Sequence, residues 1–162
     1  MTLKNVLKVL FVIVGPMIFL VACGQSNSNK HISQTESKIS ESAILTIDTF
    51  STFPTEIDGC SCYFSSDSTD FRKGVYVYMN DYAQTSFLKI NGVLTKFKQI
   101  DVKQIGKTKT VATATSEHYE MTIEVVDRGA NGDETSLKTG TIKLTDRNGK
   151  TTTKTFYGEC GC

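Results

Sequence analysis

Four cysteines stand as two Cys-x-Cys pairs, Cys60-Ser61-Cys62 and Cys160-Gly161-Cys162, a hundred residues apart. Side chains two apart on a strand project to the same face. If the strand holding Cys60 lies beside the one holding Cys160, all four sulfurs converge. Antiparallel pairing opposes Cys60 with Cys162 and Cys62 with Cys160; parallel pairing opposes Cys60 with Cys160 and Cys62 with Cys162. Three chemistries suit such a cluster. Two structural disulfides suit an exported chain, and a bridge closing a loop of about 100 residues is worth up to about 4.7 kcal/mol in the chain-entropy model. Four thiolates could instead hold zinc or copper(I), although the one-residue gap is tighter than the usual ligand spacing. Thiol exchange at Cys160-Gly161-Cys162 is the third, but no cation flanks that pair and Glu159 disfavours a thiolate. The expectation is disulfides and no cofactor, with metal or redox chemistry at the same four residues as the alternative.

Other candidate chemistry is weaker. Asp127-Arg128-Gly129-Ala130-Asn131-Gly132-Asp133-Glu134 resembles the start of an EF-hand loop. It fails at the third position, Gly129, and at the twelfth, Lys138, so a hairpin loop is expected. Asp58, Asp67 and Asp70 read as turn and cap residues. His118 and Glu120 could offer a ligand pair on one strand face, but a solvated polar face is the simpler expectation. His31 is expected to be exposed and inert. No nucleophile motif or phosphate loop accompanies the single His of the domain. The reading leans against an enzyme, with no catalytic residue and no metal ligand assigned.

The fifth cysteine belongs to a different pattern. Lys4 and Lys8 precede an uncharged run from Val9 to Ala22, too short to span a bilayer and broken by Gly15-Pro16. A basic start and a short apolar run make an export signal. Leu20-Val21-Ala22-Cys23 resembles the lipobox of bacterial lipoproteins. The resemblance covers residues 1–23 alone. It implies cleavage before Cys23 and acylation of that residue, with palmitate-type chains holding the protein to a membrane. Two or three acyl chains anchor stably where one does not. Gly24, rather than Asp, follows the cysteine. In a diderm cell that implies sorting to the periplasmic face of the outer membrane.

Removing residues 1–22 from the 162-residue chain leaves 140, enough for one domain with its own core. The chain has 18 Lys+Arg and 17 Asp+Glu; Lys4 and Lys8 leave with the leader, so the mature net charge is −1. That excludes a basic footprint for nucleic acid. Residues 24–42 are mostly polar, with Ile32 and Ile39 the strongly apolar exceptions. With Cys23 they form a lipid-anchored linker, 23–42, spanning about 25 Å.

From residue 43 to 162 the dominant period is two, the strand period. Strands are expected at Ala43–Ile47, Cys60–Ser66, Gly74–Met79, Thr85–Ile90, Val93–Gln99, Thr108–Thr115, His118–Asp127, Leu137–Thr145 and Thr151–Tyr157. In the third, Val75, Val77 and Met79 alternate with Tyr76 and Tyr78. The seventh puts Tyr119, Met121, Ile123 and Val125 on one face, and the eighth turns Ile142 and Leu144 inward. Asn91-Gly92 is a two-residue hairpin turn. Ser65–Asp70 could nucleate a short helix capped by Asp67 or Ser68. Phe50, Phe53, Phe71 and Tyr82 are expected to cap the open ends of the core. Tyr63, Tyr76, Tyr78 and Tyr82 are expected to pack across strands with Phe64 and Phe87 rather than to form a binding face. The fold class is all-β, an antiparallel sandwich or small barrel of about eight or nine strands. Its expected role is a non-enzymatic envelope module that binds an envelope protein or small ligand, or is structural. The alternative is thiol-redox or metal-binding work at the Cys-x-Cys pairs.

Overall fold

A computed structural model describes residues 44–162. The leader, Cys23, the linker and Ala43 lie outside the described residues. The strands are β1 (Ile47–Asp48), β2 (Ser61–Ser65), β3 (Tyr78–Asn80), β4 (Thr85–Ile90), β5 (Val93–Ile105), β6 (Lys109–Thr115), β7 (Tyr119–Ala130), β8 (Thr135–Asp146) and β9 (Thr151–Gly161). A single short helix, α1 (Ser68–Arg72), lies between β2 and β3. Asp67 caps it, accepting hydrogen bonds from the Thr69 and Asp70 amides.

From β2 to β9 each strand pairs antiparallel with the next in sequence, and β2 pairs with β9 to close the ring. The result is an eight-stranded up-and-down barrel, which settles the choice between sandwich and barrel. Closure leaves the long strands without an open edge. The ninth strand, β1, lies outside the ring and continues the line of β3 along β4, with Ile47 opposite Ile90 and Asp48 opposite Lys89.

Local chemistry sets the joints. Asn91 and Gly92 take φ of 46° and 83° between Ile90 and Val93, which are direct partners. This is the positive-φ pair that a tight hairpin requires. A bulge at Ile100 lets β5 run on to Ile105, beyond the expected end at Gln99. The other long strands likewise pass their expected limits: β7 reaches Ala130 and β9 reaches Gly161.

Inward residues form one core. Phe64 stacks on Phe156 with ring centroids 4.2 Å apart, and Tyr78 stacks on the other side of Phe64 at 5.3 Å. Leu88, Phe97, Met121, Ile123, Ile142 and Leu144 complete it. Gly158 and Gly140 make room for this stack. A Cβ on Gly140 would lie 1.8 Å from the Glu124 carbonyl oxygen and 2.6 Å from Cζ of Phe156. Phe156 is the direct partner of Gly140 on β9, so the ring lies across bare backbone.

Two expectations need correction. β3 begins at Tyr78, not Gly74, and of its three residues it is Tyr78 that joins the core. Both faces of β3 are covered, so Met79 is fully buried on the outer side and the alternation carries no polarity. Phe53 and Phe71 do not cap the barrel ends. They pack with Tyr63 and Tyr76 on the outer wall at centroid distances of 5.5–6.4 Å. Tyr63 must point outward because its neighbour Phe64 fills the interior. Phe50 joins that layer through a two-way backbone bridge to Tyr76.

Candidate functional site

The cysteines sit on the seam that closes the barrel. Cys60 is bonded to Cys162 and Cys62 to Cys160, the antiparallel alternative. The register of β2 against β9 makes Cys62 and Cys160 direct partners, with Cα atoms 4.0 Å apart. The inner bridge is buried, at 7% and 4% exposure for its two residues. The outer bridge includes Cys162, which is exposed. Both bridges join the first strand of the ring to the last.

The inner bridge also lines a cavity of about 680 Å³ inside the barrel. The turn residues Ala83, Gly106, Lys107 and Thr108 border it, so it opens at the end of the barrel where the cystines sit. Small residues create the space: Ala112 and Ala114 on β6 face it where a larger side chain would fill it. Its deep wall is apolar, with Met121, Ile123 and Val125 along one strand and the Tyr78 ring across from them. Its upper wall is polar, with Asn80, Gln99, Gln104 and Thr110. Eight-stranded barrels have interiors that are either just filled by side chains or hold one small ligand. This one is filled at the Phe64–Phe156 end and hollow at the cystine end.

One ion pair stands inside the mouth. Asp127 and Lys138 are cross-strand partners on β7 and β8, and both line the cavity. Lys138 Nζ lies 2.9 Å from Asp127 Oδ2, and the lysine side chain is only 12% exposed against 45% for the aspartate. The Lys138 ammonium, helped by the Gly129 amide, holds the Asp127 carboxyl below its ordinary range. The stretch that resembled an EF-hand start is therefore a strand end and hairpin, and the lysine that spoiled its twelfth position is the partner of its first residue. Sequence reasoning did not single out this pair as a site. The signal was present: along β7 the inward phase reads Met121, Ile123, Val125, Asp127, and along β8 Leu144, Ile142, Gly140, Lys138. Each runs from apolar to charged towards the same end.

The rim is shaped by a hydrogen-bonded corner. Asn80 Oδ1 accepts from the amides of Cys62 and Tyr82, and Asn80 Nδ2 donates to the Tyr78 hydroxyl. Burial pushes the Tyr78 hydroxyl pKa up. Tyr82 takes a φ of 59°, a conformation disfavoured for a residue with a bulky side chain, and lines the lip at 54% exposure. Of the four aromatics expected at the barrel ends, Tyr82 is the one placed at the open end.

The remaining candidates stay apart. Asp67 caps α1. Asp58 is exposed in the irregular segment before β2. His118 precedes β7 with its side chain 57% exposed, and its carboxylate neighbour is Glu117 at 3.8 Å rather than Glu120. Among the described residues no three His, Cys, Asp or Glu side chains converge as a metal site. With all four domain sulfurs bonded to sulfur, metal or exchange chemistry at the pairs would first require reduction.

Fold and cavity together define a small, closed, antiparallel β-barrel with one open end pinned by disulfides. No protein-family model, no curated protein and no solved structure matches the chain.

Proposed function

We propose that this chain is a lipid-anchored protein of the bacterial cell envelope that works without catalysis, binding a small amphipathic ligand in the open end of its barrel. The observation that carries the binding is the cavity of about 680 Å³, apolar at depth and polar at the mouth. That volume lies within the roughly 300–1,000 Å³ typical of small-molecule sites. Support for the address is the basic start, the short apolar run and Leu20-Val21-Ala22-Cys23. Acyl chains on Cys23 would hold the barrel at a membrane surface, on the periplasmic face of the outer membrane in a diderm cell. The clustering of polar side chains at the mouth favours orienting a ligand over converting it, since no nucleophile and base stand together there.

The chain has no Trp, so one introduced at the mouth is an unambiguous reporter. Val102 lines the cavity and is 47% exposed. In the full mature chain anchored in phosphatidylcholine vesicles, Val102→Trp emission should shift to the blue and saturate as decanol is added. Adding Ala112→Leu and Ala114→Leu should abolish the shift while the thermal transition survives. No response to decanol, decanoate or decyltrimethylammonium would overturn the reading.

The second reading, thiol-redox or metal chemistry at the Cys-x-Cys pairs, draws on the exposed position of Cys162. Reductant reaches the outer bridge before the inner one. Zinc or copper held in stoichiometric amount by the reduced chain would favour it over the structural role.

A further inference from the structure

The cavity's charged groups say which amphiphile fits it. Three charged side chains line it: Lys107 and Lys138 against Asp127. Asp127 is committed, since its carboxylate takes the Lys138 ammonium on one side and the Gly129 amide on the other. Lys138 is less fully used. An ammonium has three N–H donors, and Asp127 accepts one. Among the described residues Lys138 has no second acceptor, although its side chain is only 12% exposed. A nearly buried cation with unspent donors is costly unless something else accepts from it. Lys107, on the turn between β5 and β6, adds a second ammonium at the mouth with no carboxylate in ion-pair range among the described residues.

We infer that the barrel selects an amphiphile with one anionic head, a carboxylate above all. The head accepts from the free donors of Lys138 and meets Lys107 above it. The chain runs down the apolar wall of Val125, Ile123 and Met121 towards the Tyr78 ring. Asp127 stays ionised and acts as a positioning residue, fixing the Lys138 side chain so that its remaining donors face the cavity. The two ammoniums, Lys107 and Lys138 against the single carboxylate of Asp127, penalise a cationic head at the same level. The order of the wall, charged at the rim and apolar below, fixes the direction of entry: tail first, head last.

This inference rests on the cavity reading above, and the same Trp reporter separates the failure of one from the failure of the other. With Val102→Trp in phosphatidylcholine vesicles, compare decanoate, decanol and decyltrimethylammonium at matched free concentration. Decanoate should bind about ten-fold or more tighter than decanol, the scale of a charge-assisted hydrogen bond to a sheltered cation. The cationic amphiphile should bind weakest. Lys138→Met keeps the length and apolar stem of the side chain and should bring decanoate down to decanol while leaving decanol in place. Lys138→Arg should restore part of the preference. The thermal transition of each variant identifies a barrel that has simply lost its fold. Equal binding of decanoate and decanol, or a preference for decanoate untouched by Lys138→Met, would overturn the inference and leave the cavity reading standing. A headgroup of an anionic lipid carries the same chemistry. If vesicles containing phosphatidylglycerol displace decanoate in proportion to their content, the anion comes from the membrane; if they do not, it comes from a free amphiphile.

Discussion

Removing both disulfides should cost the barrel more than the two single removals added together, because either bridge alone already closes the large loop. Either bridge by itself closes a loop of about a hundred residues, since the pairs are separated by 102 and 98 positions. In the chain-entropy model a closure of that size lowers the entropy of the unfolded chain by about 4.7 kcal/mol at 25 °C. Once one bridge is in place, the other closes only a small ring, made of Cys60-Ser61-Cys62 and Cys160-Gly161-Cys162. The same relation gives about 2.2 kcal/mol for a ring of roughly six residues. Removing either bridge from the intact protein should therefore cost about 2 kcal/mol. Removing both should cost about 7 kcal/mol, so the coupling is about 2.5 kcal/mol. The inner pair should lie somewhat above the outer one, because Cys62 and Cys160 are buried and their replacement leaves a small void.

The assay is urea unfolding of the anchored chain, followed by far-ultraviolet circular dichroism. The variants are Cys60→Ser with Cys162→Ser, Cys62→Ala with Cys160→Ala, and all four together. A loss of about 7 kcal/mol is most of the stability of an ordinary domain. The fourfold variant should therefore be partly unfolded in buffer, and its midpoint is read in a stabilising salt. The slope of free energy against urea should also rise when the last bridge goes, because the released chain exposes more surface. Additive losses, with a coupling below about 0.5 kcal/mol, would refute the argument. They would mean that each bridge acts through its own native contacts and not through the topology of the unfolded chain.

Two further outcomes are expected. Gly140→Ala should destabilise the barrel by at least about 3 kcal/mol, since its Cβ meets backbone at 1.8 Å and the Phe156 ring at 2.6 Å; a thermal midpoint within a degree or two of the parent would show that β8 can move aside there. Cys23→Ser should abolish incorporation of radiolabelled palmitate into the chain, and label retained on that variant would rule out Cys23 as the acylated residue.

Much of the barrel was legible where one residue type meets one geometric demand. Asn91-Gly92 fixed a hairpin because the turn needs positive φ twice, and it lies where the two strands meet. The wall from Tyr119 to Val125 could be read because one of its faces is solvated and the other is not. The same logic explains the failures. β3 is covered on both sides, by Phe64 within and by the aromatic layer of Phe53, Tyr63 and Tyr76 without. Its alternation therefore carried no polarity and left open which of Met79 and Tyr78 faces inward. On β5 the bulge at Ile100 shifts the phase, so the inward residues Val102 and Gln104 fall out of step with Phe97 and Gln99. The choice of barrel over sandwich rested on β2 meeting β9, a pairing across the whole domain that no local pattern encodes. The two Cys-x-Cys pairs were the one trace of it, and they left parallel and antiparallel pairing open.

The position of the bridges follows from the hollow. At the filled end the ring is held by stacked Phe64, Phe156 and Tyr78 and by the aliphatic core around them, contacts that add up only where atoms meet across the interior. At the open end those contacts are missing, because Ala112 and Ala114 stand where larger side chains would fill the space. The seam between β2 and β9 joins the first strand of the ring to the last through five register pairs, and its mouth end lies where that packing is missing. Covalent bonds placed there, Cys62–Cys160 on the cavity wall and Cys60–Cys162 above it, supply cohesion that packing cannot give without filling the cavity. Such a device serves only an oxidising compartment. Under the envelope address proposed above, the leader would carry the chain to where the cystines can form, and the cystines keep the cavity open.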